Sequence, residues 1–254
     1  RVAMVEILKD ISLTLHRGGA LGLVGESGSG KTSLGRTLMR LYRPTAGRIR
    51  FDGIDITDLP EGALRPLRAR MQLVFQDPLS ALNPRQRIGT IVTRPLAAFG
   101  RLPERGARQA QARVLLERVG LPPEFVDRYP HELSGGQRQR IGIARAIALD
   151  PELVIADEIV SGLDVSTQAQ ILALLRTLRR DLGLALIFIS HDLSVVRVLC
   201  DRVMVLHAGR VVEQGACADV FTAPQHPYTR RLLAAAPLPD VDPDWIERAE
   251  LADG

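Results

Sequence analysis

The chain has 254 residues, of which 46% are hydrophobic, and 33 basic and 29 acidic residues leave a net charge of +4. This length and composition can bury one large core, which excludes a disordered or fibrous protein. No run approaches the roughly 18 apolar residues of a membrane span, and two distant cysteines, Cys200 and Cys217, indicate neither a disulfide framework nor a metal knuckle but a reducing compartment. Interleaved charges and few aromatic residues argue against nucleic acid as a partner.

Strand and helix patterns alternate along the chain, which predicts an α/β fold with a largely parallel sheet. Short apolar runs predict strands at residues 20–24, 71–75, 153–156 and 184–189. Apolar residues at helical spacing predict helices at residues 33–41, 141–149, 165–182 and 228–236. Residues 88–119, bracketed by prolines, predict a helical insert, and residues 202–212 predict a hairpin around Ala208-Gly209.

Residues 25–32 read Gly-Glu-Ser-Gly-Ser-Gly-Lys-Thr and fit the pattern G-x-x-x-x-G-K-[ST], with a predicted strand before them and a predicted helix after them. Glycines let successive backbone N–H groups converge on phosphate oxygens. Lys31 supplies a mobile positive charge for the β and γ phosphates, and the Thr32 hydroxyl is a ligand for Mg²⁺. The alternative is a plain glycine turn. It is less favoured because Lys31 is one of only two lysines in the chain, whereas the other residues counted as Lys or Arg are all arginine.

A predicted buried strand ends in two carboxylates, Asp157 and Glu158, where open α/β sheets place their ligand chemistry. Asp157 could hold Mg²⁺ through water, and Glu158 could orient or deprotonate an attacking water. Since strand side chains alternate, Glu158 is expected to point elsewhere than Asp157. Taken alone, the pair is better explained as a solvated turn or a helix N-cap. Together with the phosphate loop it indicates a P-loop nucleotide hydrolase.

The order of motifs resembles the ATP-binding cassette (ABC) family of ATPases over nearly the whole chain, from about Leu8 to Pro237. Besides the two motifs above, the resemblance rests on Gln76, the signature Leu133-Ser-Gly-Gly-Gln137, Ser161-Gly-Leu-Asp164 and His191. It implies a P-loop NTPase core with a mostly parallel sheet, an antiparallel β subdomain and an inserted helical subdomain. The implied boundaries are about 1–84 and 138–222 for the core, 85–137 for the helical subdomain and 223–254 for a C-terminal extension.

The resemblance implies ATP and Mg²⁺ as ligands and assigns roles to particular residues. Glu158, His191 and Gln76 would be catalytic, and Thr32, Gln76 and Asp157 would hold the metal. Further contacts to ATP would come from a larger set: Gly25, Ser27, Gly28, Ser29, Gly30, Lys31, Thr32, Ser33, Ser134, Gly135, Gly136, Gln137 and Asp164. Ser134 and the N–H groups of Gly135 and Gly136 would face the γ-phosphate bound on an opposing cassette. Ser134 and Asp164 are also explained as helix N-caps, and both roles can hold.

Two stretches, Phe75–Arg85 and Gln225–Pro237, are similar to the ATPase subunits of bacterial oligopeptide and dipeptide permeases, a group that also handles nickel and glutathione. That similarity implies a second ATPase domain as partner, either identical, paralogous or fused in the same chain. It also implies two transmembrane permease subunits, an indirect link to an extracytoplasmic substrate-binding protein, and a peripheral location on the cytoplasmic face of the bacterial inner membrane. A soluble ABC ATPase of DNA repair or translation and a regulatory ATP-binding cassette are the alternatives.

The sequence departs from the family pattern at several points. Residues 1–15 contain no aromatic side chain to stack on adenine, so an aliphatic such as Val2 or Met4 would replace it, or a preceding segment would supply it. Gly162 stands where the subfamily usually has alanine. His226-Pro-Tyr228 has no assigned chemistry beyond a cap on the tail helix. Because the sequence opens at Arg1, we expect a segment of a longer protein, such as one half of a fused tandem ATPase.

Overall fold

The computed structural model describes residues 6–75, 82–102 and 105–235. The strands in these ranges are β1 Ala20–Val24, β2 Arg50–Phe51, β3 Ile54–Asp55, β4 Met71–Val74, β5 Leu153–Asp157, β6 Ala185–Ile189, β7 Arg202–His207 and β8 Arg210–Ala216. The α-helices are α1 Lys31–Leu38, α2 Glu61–Arg70, α3 Ile88–Ala98, α4 Arg105–Arg118, α5 Gly135–Ile147, α6 Val165–Leu182, α7 Leu193–Leu199, α8 Cys217–Thr222 and α9 Pro227–Ala235. Two short 3-10 helices span Pro123–Asp127 and Pro130–Glu132.

The chain divides into two compact units, each described by itself. The described parts of the first are residues 6–68 and 185–235, and those of the second are residues 69–75, 82–102 and 105–184. The boundaries that the family resemblance implies for the core, the helical subdomain and the C-terminal extension are not tested by this division and remain predictions.

The first unit is built on four strands in the order β6-β1-β7-β8. Strand β1 is parallel to both β6 and β7, whereas β8 is antiparallel to β7. All five residues of β1 and of β6 are buried, as expected for apolar strands inside a parallel sheet. Strands β2 and β3 form a separate antiparallel pair. The carboxyl ends of β1, β6 and β7 therefore lie along one edge of this sheet.

The second unit combines the parallel pair β4 and β5 with helices. Helix α5 packs on β4, on α6 and on the inserted helices α3 and α4. Fully buried side chains fill the spaces between these helices, among them Leu115, Leu116, Ile141 and Ile143. The predicted apolar stripe of residues 88–119 is thus the inner face of a helical layer. Within the described parts of the chain, no helix has the length and hydrophobicity to cross a membrane.

Two helix starts differ from the sequence prediction for a clear reason. Helix α1 begins at Lys31 because Gly30, with φ 106°, turns the chain directly out of the preceding loop, and it ends before Arg40, whose φ is 52°. Helix α5 begins at Gly135, six residues before the apolar stripe starts, because Ser134 caps it. In contrast, α6 matches its predicted bounds, since Asp164 caps its start and Gly183, with φ 61°, ends it.

Candidate functional site

The phosphate loop lies between β1 and α1 at the carboxyl edge of the first unit's sheet. Gly25 is required by close packing, because a β-carbon there would stand 2.1 Å from the Leu206 carbonyl oxygen at the end of β7. Gly28 adopts φ 81°, a backbone shape that L side chains rarely take. The loop also rests on the β7–β8 turn, where the Gly209 N–H donates to the Ser29 carbonyl oxygen at 3.0 Å.

Lys31 lies folded along this loop and is 5% exposed. Its Nζ donates to the carbonyl oxygens of Gly25, at 2.7 Å, and Glu26, at 2.9 Å. These two bonds turn the carbonyl oxygens toward the ammonium group. The lysine thereby places a positive charge at the loop and also fixes the loop's shape.

The residues of the loop fit a bound phosphate group. The Ser29 hydroxyl is buried and finds no hydrogen-bond partner among the described residues. Leaving a buried hydroxyl unpaired costs about 1–3 kcal/mol, so its place in a loop with Lys31 indicates a ligand oxygen as the missing partner. Glu26, Ser27 and Gly28 are exposed, and therefore the loop is accessible to a ligand.

His191 comes to the same edge of the sheet as the phosphate loop. Leu23 of β1 pairs with Ile189 of β6, and the Ser190 N–H donates to the Leu23 carbonyl oxygen at 3.2 Å. His191 follows immediately and its side chain is exposed. The structure thus brings the predicted histidine and the phosphate loop together as neighbouring strand ends.

In the second unit, β5 carries Asp157 and Glu158 to its carboxyl end. Asp157 is 6% exposed and ends the strand. Glu158 has left the strand, with φ 49°, so its direction comes from a left-handed backbone turn and not from strand alternation. The expectation that strand alternation separates the two carboxylates is therefore wrong, although they do follow one another at a strand end. Gln76, which was predicted to join them, lies outside the described residues.

The signature Leu133–Gln137 forms the start of α5. The Ser134 hydroxyl accepts the Gln137 N–H at 3.3 Å, and the Gln137 side chain accepts the Ser134 N–H at 3.0 Å. This reciprocal pair confirms the predicted N-cap of Ser134. Both Ser134 and Gly135 are exposed, so the N-terminal end of α5 presents its backbone N–H groups to solvent.

Asp164 caps α6 and lies close to the signature. Its carboxylate accepts the Thr167 N–H at 2.9 Å and the Thr167 hydroxyl at 2.7 Å. The backbone bond from Thr167 is the main reason why the pKa of Asp164 lies below its usual value. Gly136 packs directly on Thr167. Val165, which follows Asp164 in the sequence, is 70% exposed. The signature and the Asp164 segment therefore form one surface.

The predicted site residues thus fall into two sets, one in each unit. Residues 25–33 and His191 belong to the first, whereas Asp157, Glu158, the signature and Asp164 belong to the second. Thr32 in the first unit carries a hydroxyl oxygen and Asp157 in the second a carboxylate oxygen, and oxygen atoms are the ligands that Mg²⁺ prefers in proteins. No group of three or more His, Cys, Asp or Glu residues suited to a metal occurs in the described ranges. Val2 and Met4, considered for adenine, lie outside them.

One functional candidate, Tyr228, has no chemical signature in the sequence. The Tyr228 hydroxyl accepts the Glu26 N–H of the phosphate loop at 3.0 Å, and its ring packs on His207. Tyr228 belonged to a stretch recognised by similarity but given no chemistry beyond a helix cap. His207 carries no signal in the sequence except its place just before the turn of the predicted hairpin at residues 202–212.

Two family models match the chain. The model described as "ABC transporter" matches residues 8–161, and the model described as "Oligopeptide/dipeptide transporter, C-terminal region" matches residues 212–252. A protein of Brucella ovis named as a peptide import ATP-binding protein is 53% identical over 95% of this chain and 76% of its own length. The glutathione import ATP-binding protein GsiA of Shigella flexneri is 51% identical over 98% of this chain and 40% of its own length.

Solved structures give the same picture of the fold. The ATP-binding cassette MJ0796, in a dimeric post-hydrolysis state bound to ADP and Pi, matches 83% of this chain and 90% of its own with 30% identity and a TM-score of 0.75. The cbiO1 protein of Clostridium perfringens, part of the ABC transporter complex cbiONQ, matches 85% of this chain and 84% of its own with 31% identity and a TM-score of 0.77. The predicted fold class is confirmed.

Proposed function

The chain belongs to the ABC transporter family of ATPases, and from this premise we propose that it powers a bacterial importer of oligopeptides or dipeptides as one of two cassettes that bind ATP between them. The observation that carries the nucleotide site is the phosphate loop, in which Lys31 is buried and the Ser29 hydroxyl has no hydrogen-bond partner in the part of the chain that the structure describes. The match of the C-terminal region to peptide transporters supports the class of solute.

The reaction is the hydrolysis of ATP with water to ADP and phosphate. Backbone N–H groups of the phosphate loop other than that of Glu26, which donates to Tyr228, and the Lys31 ammonium would hold the β and γ phosphates. Thr32, Asp157 and Gln76 would hold Mg²⁺, which, when bound, neutralises part of the phosphate charge. Glu158 would accept the proton of the attacking water, and exposed His191 would hold the γ-phosphate from its neighbouring strand end.

The second set of residues would act on the partner cassette. Ser134 and the N–H groups at the exposed start of α5 are suited to an anion, because a helix N-terminus carries partial positive charge and unpaired donors. Asp164 and exposed Val165 lie beside them and would form part of the seam between cassettes. This arrangement explains why the signature needs no nucleophile of its own.

Two permease subunits would transmit the closing of the cassettes, at the cytoplasmic face of the inner membrane, and a substrate-binding protein would meet only the permease. A purely regulatory cassette is less favoured because Glu158 and His191 are both present. An ATPase of DNA repair or translation is less favoured because the similar proteins are import proteins.

The test is the substitution Glu158→Gln, which keeps the shape of the side chain but removes the base. We expect ATP turnover to fall by about 100-fold or more, and ATP-bound dimers to persist in size-exclusion chromatography with Mg²⁺. Glu117→Gln, a change of the same kind at an exposed position of α4, is the matched control. Wild-type turnover in Glu158→Gln would overturn the assignment of the base, and full turnover by a verified monomer would overturn the two-cassette site.

A further inference from the structure

A single peptide group in the phosphate loop is held at both of its ends. The carbonyl oxygen of Gly25 accepts the Lys31 Nζ at 2.7 Å, and the N–H of Glu26, in the same peptide plane, donates to the Tyr228 hydroxyl at 3.0 Å. Because the peptide is planar, fixing its oxygen and its N–H fixes the orientation of the whole group. Tyr228 therefore acts on the same structural unit as the phosphate-binding lysine, although it lies 202 residues away from Glu26.

The phenol of Tyr228 is itself fixed in place. The side chain is 3% exposed, and its ring centroid lies 3.9 Å from that of His207 with 31° between the ring planes. His207 ends β7, which pairs with β1 through Val205 and Val24. The histidine ring thus comes from a strand end beside the phosphate loop and supports the tyrosine there.

The backbone that carries Tyr228 is anchored independently. The Glu213 carboxylate, in β8, accepts the N–H groups of Gln225 and His226 at 2.7 and 3.0 Å. The His226 Nδ1 then accepts the Tyr228 N–H at 3.1 Å, which confirms the predicted cap on the tail helix. A carboxylate and an imidazole acceptor at the start of α9 satisfy N–H groups that no helical carbonyl can reach.

The apolar side of α9 packs toward the end of β1. Thr229, Leu232 and Leu233 line the same small apolar cavity as Val24 and Leu193. The first turn of α9 therefore contacts the phosphate loop through Tyr228. The apolar side of α9 faces the end of β1, the strand that precedes this loop.

From these contacts we infer that Tyr228 is a positioning residue for the nucleotide, and that α9 holds the phosphate loop in the shape that binds ATP. The inference rests on the proposed site for ATP in this loop. Loss of the hydroxyl lets the Gly25–Glu26 peptide rotate and deprives Lys31 of a fixed acceptor. The C-terminal region of this chain, which matches the model of peptide transporters, thereby helps to hold the nucleotide site in shape.

The test compares Tyr228→Phe with Tyr42→Phe in the full chain. Both remove one hydroxyl from a tyrosine of the first unit, but the Tyr42 hydroxyl is bonded to Arg36 on the surface. We expect Tyr228→Phe to raise the KM for ATP about two- to tenfold, the range for one lost hydrogen bond, with a smaller change in kcat. Without nucleotide, hydrogen exchange of the Glu26 amide should become faster. Tyr42→Phe should change neither quantity.

Unchanged Glu26 exchange and unchanged KM in Tyr228→Phe would overturn the inference, as would a lower melting temperature with no change in KM. These outcomes differ from failure of the proposed function. If the unsubstituted protein fails to bind ATP with Mg²⁺ in calorimetry, or if Lys31→Ala binds it equally well, the nucleotide site itself is wrong. The exchange of the Glu26 amide still reports the contact in that case.

Discussion

Gly136 lies so close to Thr167 that a β-carbon on the glycine would stand 2.4 Å from the Thr167 Cγ2 methyl group. Real β-carbons do not approach a carbon atom so closely, and the methyl belongs to a short β-branched side chain with little freedom to move. The first turns of α5 and α6 are therefore packed at a distance that requires glycine. Thr167 is also held by Asp164 through two hydrogen bonds, which restricts it further.

The substitution Gly136→Ala should consequently separate the signature from the Asp164 segment. We expect the free energy of unfolding to fall by about 1–3 kcal/mol, the usual cost of overpacking. Urea unfolding followed by circular dichroism measures this quantity. Gly135→Ala is the matched control for stability, because its β-carbon would meet the Leu163 Cδ2 at an ordinary 3.6 Å. Equal losses in the two variants would contradict the close packing of Gly136.

Local patterns in the sequence were sufficient for most strands and for the long helix α6. Strand β1 and helix α6 have their predicted bounds because apolar spacing, the Asp164 cap and Gly183 all lie within a few residues of the element that each defines. Apolar spacing alone places the start of α5 too late, whereas the predicted Ser134 cap places it correctly, because a capping box begins this helix. Helix α2 was missed because Pro66 interrupts the pattern inside it.

The site shows a similar division between local and distant signals. The caps of Ser134 and Asp164 involve residues three positions apart and were predicted. The bond between Glu26 and Tyr228 joins distant parts of the chain, and no spacing rule connects them. Likewise, the close approach of Gly25 to Leu206 depends on how β7 pairs with β1, which the sequence does not state.

Gly162 has a backbone conformation that favours glycine. It adopts φ 77°, and among the described residues other than its two chain neighbours no group lies within 4 Å of the point where a β-carbon would stand. Gly162→Ala should therefore lower the free energy of unfolding by about 1–2 kcal/mol through backbone strain alone. Gly62→Ala in α2 also has free space but no positive φ, so it should be neutral or stabilising by up to about 1 kcal/mol. Thermal unfolding of both variants measures the difference, and a stabilised Gly162→Ala would show that this turn is not strained by a side chain.

Cys217 should be unreactive in the folded protein. Burial, together with the nearby Asp201 carboxylate, raises the pKa of its thiol to about 12, and the side chain is 5% exposed. At pH 8 about one thiol in ten thousand is then ionised, and the thiolate is the reactive form. We expect no alkylation of Cys217 by iodoacetamide at pH 8, measured by peptide mass spectrometry, and rapid alkylation in guanidinium chloride. Rapid labelling under native conditions would contradict this burial.

The anchoring of α9 by Glu213 should depend on pH in a defined direction. Burial by itself raises the pKa of this carboxyl, but hydrogen bonds including those from the N–H groups of Gln225 and His226 outweigh it, so that the pKa lies below its ordinary value of 4.5. A lowered folded-state pKa contributes stability that is fully present above the ordinary value and is lost as the pH falls through the lowered one.

The substitution Glu213→Gln keeps the size of the side chain but removes its titration and one of its two carboxylate oxygens. We expect it to lower the melting temperature most above about pH 5.5, one unit above the ordinary pKa. The difference from the unsubstituted chain should shrink as the pH falls from the ordinary pKa through the lowered one, because folded Glu213 then becomes protonated and loses the same interaction. Thermal melts of the two proteins at matched pH values isolate this carboxyl from the others that titrate in the same range. A difference that stays constant or grows on acidification would show that the Glu213 charge does not hold the turn before α9.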